Sequence, residues 1–236
     1  MVNTMNNRIK ISVVMPSYNE EKAIKKMVED IKENTKDFET EIIIVDSSTD
    51  KTAEIARQMG VKVISQEPQG HGIALRTAIN AAKNDIIVTT DCDYTYPMYY
   101  IPKLVKLILN EDYDLISCNR LNKKLNEEMP FVNKMGNNLF ASLVRWFYKI
   151  KVNDVSTGMF CMKRKVNESI KWENNYSFPC EMIIKTNLAG FKYKEIDISY
   201  KVRLGDVTLN KWKSGKAYLK CIFNYKFNLK INPNKL

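Results

Sequence analysis

The strongest constraint on this chain is an alternation that runs through its first 120 residues. Ile9–Met15 (IKISVVM) is a β-branched run ended by Pro16, and the following EEKAIKKMVEDIKE places Ala23, Ile24, Met27, Val28 and Ile31 at helical spacing. The unit recurs: EIIIVD (41–46) precedes DKTAEIARQMG, VKVIS (61–65) precedes GIALRTAINAA, and DIIVTTD (85–91) precedes YIPKLVKLILN. DLISC (114–118) supplies a fifth strand. Strands that are apolar throughout, alternating with helices, predict an α/β fold: a mostly parallel central sheet flanked by helices on both faces. Sites in such sheets lie beyond the carboxyl ends of the strands. That rule gathers Pro16–Glu20, Asp46–Asp50, Gln66–Gly72 and Asp91–Pro97 on one rim.

After residue 120 the rhythm changes. Residues 121–133 (LNKKLNEEMPFVN) are polar and read as a loop, whereas Leu139, Phe140, Leu143, Val144, Phe147 and Ile150 form an apolar face at helical spacing. TGMFCMKR returns to the sheet, residues 190–202 have strand character, and Trp212, Leu219, Ile222 and Phe223 oppose Lys213, Lys216 and Lys220 on a last helix. A length of 236 residues suits one domain, 1–236, in a sheet-forming part (1–120) and a second part (121–236).

The net charge of +10 suits phosphates or anionic headgroups as partners. Nucleic acid is disfavoured, because the lysines are dispersed and the acids of the rim would repel a phosphate backbone. Five scattered cysteines without CxxC spacing argue against a disulfide framework and fit a reducing, cytoplasmic setting. One histidine, His71, excludes a polyhistidine metal centre, and no apolar run is long enough to span a bilayer. Chemistry therefore falls to carboxylates, amides and basic groups.

Asp91 and Asp93, at i and i+2 after a central strand, can offer hard oxygen ligands to Mg2+ or Mn2+; a solvated turn is the plainer alternative. Asp46 also closes a strand and can accept from a base N–H, while Asp50 suits a helix cap. In QGHGIALR, Gly70 and Gly72 allow close backbone approach to an anion, with His71 between them as a possible donor or a plain loop residue.

Together VVMPSYNEE (13–21), EIIIVDSSTDKT (41–52), QGHGIALR (69–76), DCDYTYP, Asn119-Arg120, DVSTGMFCMKR (154–164), YSFPCEMIIKTNLAGFKYKEIDISY and VRLGDVTLNKWKSG resemble, in order, the inverting family-two glycosyltransferases that include the dolichyl- and polyprenyl-phosphate sugar synthases. The resemblance implies the nucleotide-diphosphosugar transferase (GT-A type) fold, with 1–120 binding the nucleotide-sugar and 121–236 forming the acceptor side. It implies Pro16, Tyr18, Glu20 and Asp46 around base and ribose, and Asp91 and Asp93 on the diphosphate through Mg2+ or Mn2+. Arg120, Arg203 and Lys134 fall at acceptor-phosphate positions, Asp154 opens the D-x-x-x-G segment, and Glu181 matches the acid after YSF. Three departures stand out: Ser47 follows Asp46, Thr95 stands where some relatives carry a glutamine ligand, and Thr208 replaces a lysine.

The implied reaction is transfer of a sugar from a nucleotide-diphosphosugar to dolichyl or polyprenyl phosphate, with UDP-glucose or UDP-N-acetylglucosamine as donor and GDP-mannose as the alternative. A lipid phosphate is already anionic and needs no strong base, so Arg120 and Arg203 would position it. A sugar hydroxyl or other soluble acceptor would need one, from Asp154 or Glu181. The two amphipathic helices, 137–150 and 212–223, suggest a peripheral position on the cytoplasmic face of the membrane, or else simply cover the sheet.

Overall fold

The computed structural model describes residues 8–122, 125, 131–205 and 211–227, the side chains of 131–134 and 211–212 excepted. The alternation builds β1 (Lys10–Ser17), α1 (Ile24–Asn34), β2 (Glu39–Asp46), α2 (Thr52–Gln58), β3 (Lys62–Ser65), α3 (His71–Ala81), β4 (Ile86–Thr89), α4 (Ile101–Asn110) and β5 (Leu115–Asn119). The second part contributes α5 (Phe131–Tyr148), β6 (Phe160–Lys163), α6 (Arg164–Ser169), α7 (Phe178–Leu188), β7 (Tyr193–Asp197) and α8 (Lys211–Phe227). The expected mostly parallel sheet is present, in the order β3-β2-β1-β4-β6-β5-β7.

β1 is central, parallel to β2 on one side and β4 on the other. Its side chains are buried on both faces, which is why it reads as an unbroken apolar run. One core cluster places Ile24, Met27, Val28 and Ile31 of α1 and Leu104, Val105 and Ile108 of α4 under one face. The other face carries Leu75, Ala78 and Ile79 of α3 with α5, α7 and α8.

Three expectations need correction. Pro16 does not end β1; it sits inside the strand opposite Val45, beyond the stretch paired to β4, where a missing N–H leaves no ladder bond open. The loop expected over 121–133 yields to α5 from residue 131. Leu139 is not on the buried face of α5: it is 57% exposed, whereas Ala141 and Val144 are fully buried.

β6 is the one strand that runs against both of its neighbours, β4 and β5. Because Thr89, at the end of β4, lies opposite Phe160, at the start of β6, the segment before β6 reaches the rim where the parallel strands end. Gly158, at the end of the D-x-x-x-G segment, thus meets Asp91 although it precedes its strand.

Candidate active site

The four loops converge as the sheet rule requires. Ser17 donates its hydroxyl to Asp46 Oδ1 at 2.5 Å, and Ser48 adds its hydroxyl at 2.7 Å and its backbone N–H at 3.2 Å. Asp46 is thereby fixed, 4% exposed, at the end of β2. Asp50 accepts from Thr52 N–H at 2.9 Å and Glu21 N–H at 3.2 Å, so it holds the start of α2 against the β1 loop, in the capping role expected. The Pro16–Glu20 loop ends with Glu20 N–H on Thr52 Oγ1 at 2.9 Å, and leaves Tyr18 exposed to solvent.

The acids of DCDYTYP are held by different means. His71 Nε2 meets Asp91 Oδ1 at 2.9 Å, bringing the glycine loop against the first aspartate. Gly158 makes room for that carboxylate: a Cβ there would stand 2.6 Å from either Asp91 oxygen. Tyr96, fully buried, receives the Gly158 N–H on its hydroxyl at 2.6 Å and so sets the wall behind Asp91. Asp93 Oδ1 accepts from Thr95 N–H at 3.1 Å and Thr95 Oγ1 at 2.5 Å. Thr95, which departs from the glutamine of some relatives, therefore orients the second aspartate. Between them Tyr94 adopts φ +67°, a left-handed conformation that is strained for a tyrosine.

A strap formed by residues 198–204 lies across this turn. Lys201 N–H donates to Thr95 O at 2.8 Å, Leu204 N–H donates to Asp93 O at 3.1 Å, and Ser199 N–H donates to Tyr100 Oη at 3.2 Å. The strap carries Arg203, whose guanidinium bridges Asp93 and Glu20. Beside it Glu20 Oε2 is buried with no hydrogen-bond partner among the described residues.

The charges around Asp91 are unevenly balanced. Burial pushes Glu20 up to about 7, against the pull of Arg203 and with the help of Asp93. Burial and then the charge of Asp91 also raise Asp93. Burial works against the charge on Asp91 too, but the His71 hydrogen bond and the nearby arginines outweigh it and hold that carboxyl low. His71 is raised in turn, its desolvation overcome by Asp91. Three carboxyl groups thus share the rim with positive charge wanting, a setting that favours an added cation.

Among the described residues no group of three or more His, Cys, Asp or Glu side chains is arranged to hold a metal alone. Two aspartates do fit Mg2+ or Mn2+ of the kind held by one or two carboxylates and completed by substrate phosphates. The bridging guanidinium of Arg203 marks where positive charge is accepted.

The remaining expected residues are dispersed into other tasks. Arg120 is not free to meet a ligand as a lone guanidinium. Its Nε and Nη2 donate to Asp154 at 2.7 and 3.0 Å, and Nη2 also to Ser156 Oγ at 2.9 Å. Asp154, fully buried, also receives Asn137 Nδ2 from α5 at 2.6 Å; against its burial, Arg120 holds its pKa below the usual range. A carboxylate so stabilised is a poor proton acceptor. Glu181, also fully buried, accepts the N–H groups of Glu173 and Asn174 at 2.9 and 2.8 Å and thus holds a loop. Gly70 and Gly72 pack on Asn175, a residue that no sequence motif singles out. The Lys134 side chain and Thr208 lie outside the described residues.

The family profile described as Glycosyl transferase family 2 matches residues 12–171. A dolichyl-phosphate hexose transferase of Haloferax volcanii is 42% identical over 212 residues, which span 90% of this chain and 92% of that protein. The low-salt glycan biosynthesis hexosyltransferase Agl6 of the same organism is 31% identical over 89% of this chain and 52% of its own length. Among solved structures, glucosyl-3-phosphoglycerate synthase of Mycobacterium tuberculosis in complex with Mn2+, uridine diphosphate and glucosyl-3-phosphoglycerate superposes with a TM-score of 0.74. That match covers 92% of this chain and 80% of that one at 22% identity, and it shows the GT-A type fold. With its rim acids in that fold and its profile match over most of its length, the chain belongs to glycosyl transferase family 2 and is a glycosyltransferase.

Proposed function

We propose that this glycosyltransferase moves a hexose, with inversion, from UDP-glucose or UDP-N-acetylglucosamine to dolichyl or polyprenyl phosphate, with Mg2+ or Mn2+ bound by Asp91 and Asp93. The observation that carries the reading is the acid cluster bridged by Arg203: it sits at the rim end of β4, under a strap that brings a guanidinium to it. The 42% identity to a dolichyl-phosphate hexose transferase over nearly the whole of both chains supports the lipid phosphate as acceptor.

A bound divalent ion would supply charge neutralisation on the departing nucleoside diphosphate. The chain's own residues do the rest. Asp46 and the β1 loop at Tyr18 and Glu20 border the base and ribose, and the first turn of α3 at Gly70–Gly72 lies against the diphosphate side. His71 and Gly158 fix the rotamer of Asp91, and Thr95 that of Asp93. Arg203, on its strap, exchanges the two carboxylates for the acceptor phosphate, which guanidinium geometry fits. Arg120 stays with Asp154 and adds positive field at Asp91 from behind. Because a phosphomonoester is already ionised near neutral pH, no general base is needed.

The acceptor side offers a surface for a lipid carrier. On α5 Met135, Leu139 and Trp146 are 59%, 57% and 67% exposed, and on α8 Leu219, Phe223 and Phe227 are 37%, 39% and 55% exposed. Phe147 joins the helices, its ring 5.5 Å from Phe223 and 6.2 Å from Phe227. Lysines 213, 216 and 220 are exposed on α8. Among the described residues no helix is long and apolar enough to cross a membrane. An interfacial, cytoplasmic-face position is consistent with this surface.

The test pairs UDP-glucose, UDP-N-acetylglucosamine and GDP-mannose with dolichyl phosphate in liposomes and with 3-phosphoglycerate in solution. Metal-dependent transfer into the lipid fraction from a UDP-sugar is expected. Transfer only to the soluble acceptor would overturn the lipid assignment, and preference for GDP-mannose the donor.

A further inference from the structure

The loop between α6 and α7 is irregular, yet it is built on unusually costly foundations. Glu181 and Lys185 of α7 are 0% and 1% exposed and lie 3.3 Å apart. Buried ion pairs seldom add net stability, so their retention calls for another reason. Here the Glu181 carboxylate is used up on the loop: it accepts Glu173 N–H, Asn174 N–H and the Tyr225 hydroxyl, the last at 2.6 Å from α8. Lys185 Nζ donates to Lys171 O at 2.5 Å, and Asn174 Nδ2 donates back to Tyr225 Oη at 2.8 Å. Apart from the Tyr225–Glu181 bond, each of these fixes the backbone or a side chain of residues 171–174.

Asn175 follows directly and reaches across to the glycine loop. Its Nδ2 donates to Gln69 O at 2.6 Å, while its Oδ1 accepts Ile73 N–H at 3.2 Å. One planar amide thus spans both sides of the turn that opens α3. The two glycines match its shape. A Cβ on Gly72 would stand 2.2 Å from the Asn175 carbonyl oxygen, and one on Gly70 would stand 2.6 Å from Asn175 Nδ2. Gly70 also has φ +105°, so a side chain there would be strained as well as blocked. Between the glycines stands His71, hydrogen-bonded to Asp91.

We propose that Asn175 is a positioning residue: its amide and carbonyl clamp the Gly70–Gly72 turn and thereby set His71 against Asp91. The absence of side chains at both glycines is the footprint of this clamp. Its consequence for donor binding rests on the proposed glycosyl-transfer reading, since that reading makes Asp91 a metal ligand. Outer partners that orient such ligands typically carry about a 10- to 100-fold effect on metal affinity or activity.

His71 is the chain's single histidine, so the imidazole gives one unambiguous NMR signal. In the full-length protein without nucleotide, Asn175→Ala is expected to move that signal with little change in Tm. With Mn2+ and UDP added, the same variant should bind the pair about tenfold or more weakly, and adding His71→Gln should cost little further. Asn175→Asp retains the acceptor for Ile73 N–H but loses the donor to Gln69, and should fall between. An unmoved His71 signal, or losses that simply add, would overturn the clamp. If Asn175→Ala does not fold, Gly72→Ala attacks the same contact from α3 and must move the signal; a native-like spectrum in that variant also overturns it. Failure of the wild type to bind UDP or GDP with Mn2+ would count against the glycosyl-transfer reading, leaving the His71 signal to judge the clamp.

Discussion

Two arginines face aspartates near the rim of this molecule, and their settings differ. Arg120 and Asp154 are 11% and 0% exposed, and the pair is completed by Asn137 and Ser156. Arg203 is 27% exposed, sits on a strap without regular structure, and divides itself between Asp93 and Glu20, one of whose oxygens has no hydrogen-bond partner among the described residues. The first is a closed circuit with no acceptor to spare at Asp154. The second is an open one, in which positive charge is held where other cations or anions can compete. Both arginines fit the same sequence argument for phosphate binding; the difference lies in what surrounds them.

If that contrast is right, the aspartates should separate first. Asp93→Asn is expected to cut sugar transfer about 100-fold or more while leaving the chain folded, because several kcal/mol of leaving-group stabilisation is lost. Near-normal turnover would break the assignment. Arg120→Ala should instead act on the fold, costing about 3–5 kcal/mol in denaturant unfolding by leaving Asp154 buried and uncompensated. Arg203→Ala should cost less than this in the same assay, because its guanidinium is 27% exposed and Glu20, already raised to about 7, can take up a proton in its place. Its effect belongs in kinetics: KM for the lipid phosphate should rise about tenfold, the loss of one or two charge-assisted bonds. Equal stability losses at the two arginines would erase the distinction.

The smallest effect sharpens the electrostatics. Glu20 has a folded pKa raised from 4.5 to about 7, so between those values the folded protein keeps a proton that the unfolded chain has released. That contribution to stability is full below about 4.5 and lost as pH rises through about 7. Glu20→Gln should flatten this segment of the stability profile, measured by denaturation across pH. A slope unchanged by the substitution would remove Glu20 as its source.

The sheet and the rim were legible because each rests on local pattern. Unbroken apolar runs gave the strands of the first part, and the position of DCDYTYP after Val88 placed the acids where the chain turns out of β4. What could not be read depends on contacts across long separations. Nothing in WENNYSF marks Asn175, because its partners are 102 and 106 residues away. The pairing of Arg120 with Asp154 joins residues 34 apart, and the shared spacing of charges in either segment does not reveal it. Leu139 misled for a related reason: helical periodicity identifies an apolar stripe, but only packing tells which edge of the stripe is covered. The same limit applies to α6, whose single buried Val166 is too little to announce a helix.

The reversed strand β6 also sets a timetable. A ribosome delivers the rim acids early, but the seat of Asp91 is finished only when Gly158 arrives and β6 zips between β4 and β5, closing a loop of about 70 residues at some entropic expense. Long-range pairings of this kind form late. A nascent chain stalled before residue 158 should therefore display the β1 and β2 strands without a finished wall behind Asp91, and pulse-labelled amide exchange should find Phe160 protected after Val13 and Ile43. Competence would then arrive in one step, once β6 has taken its place between β4 and β5.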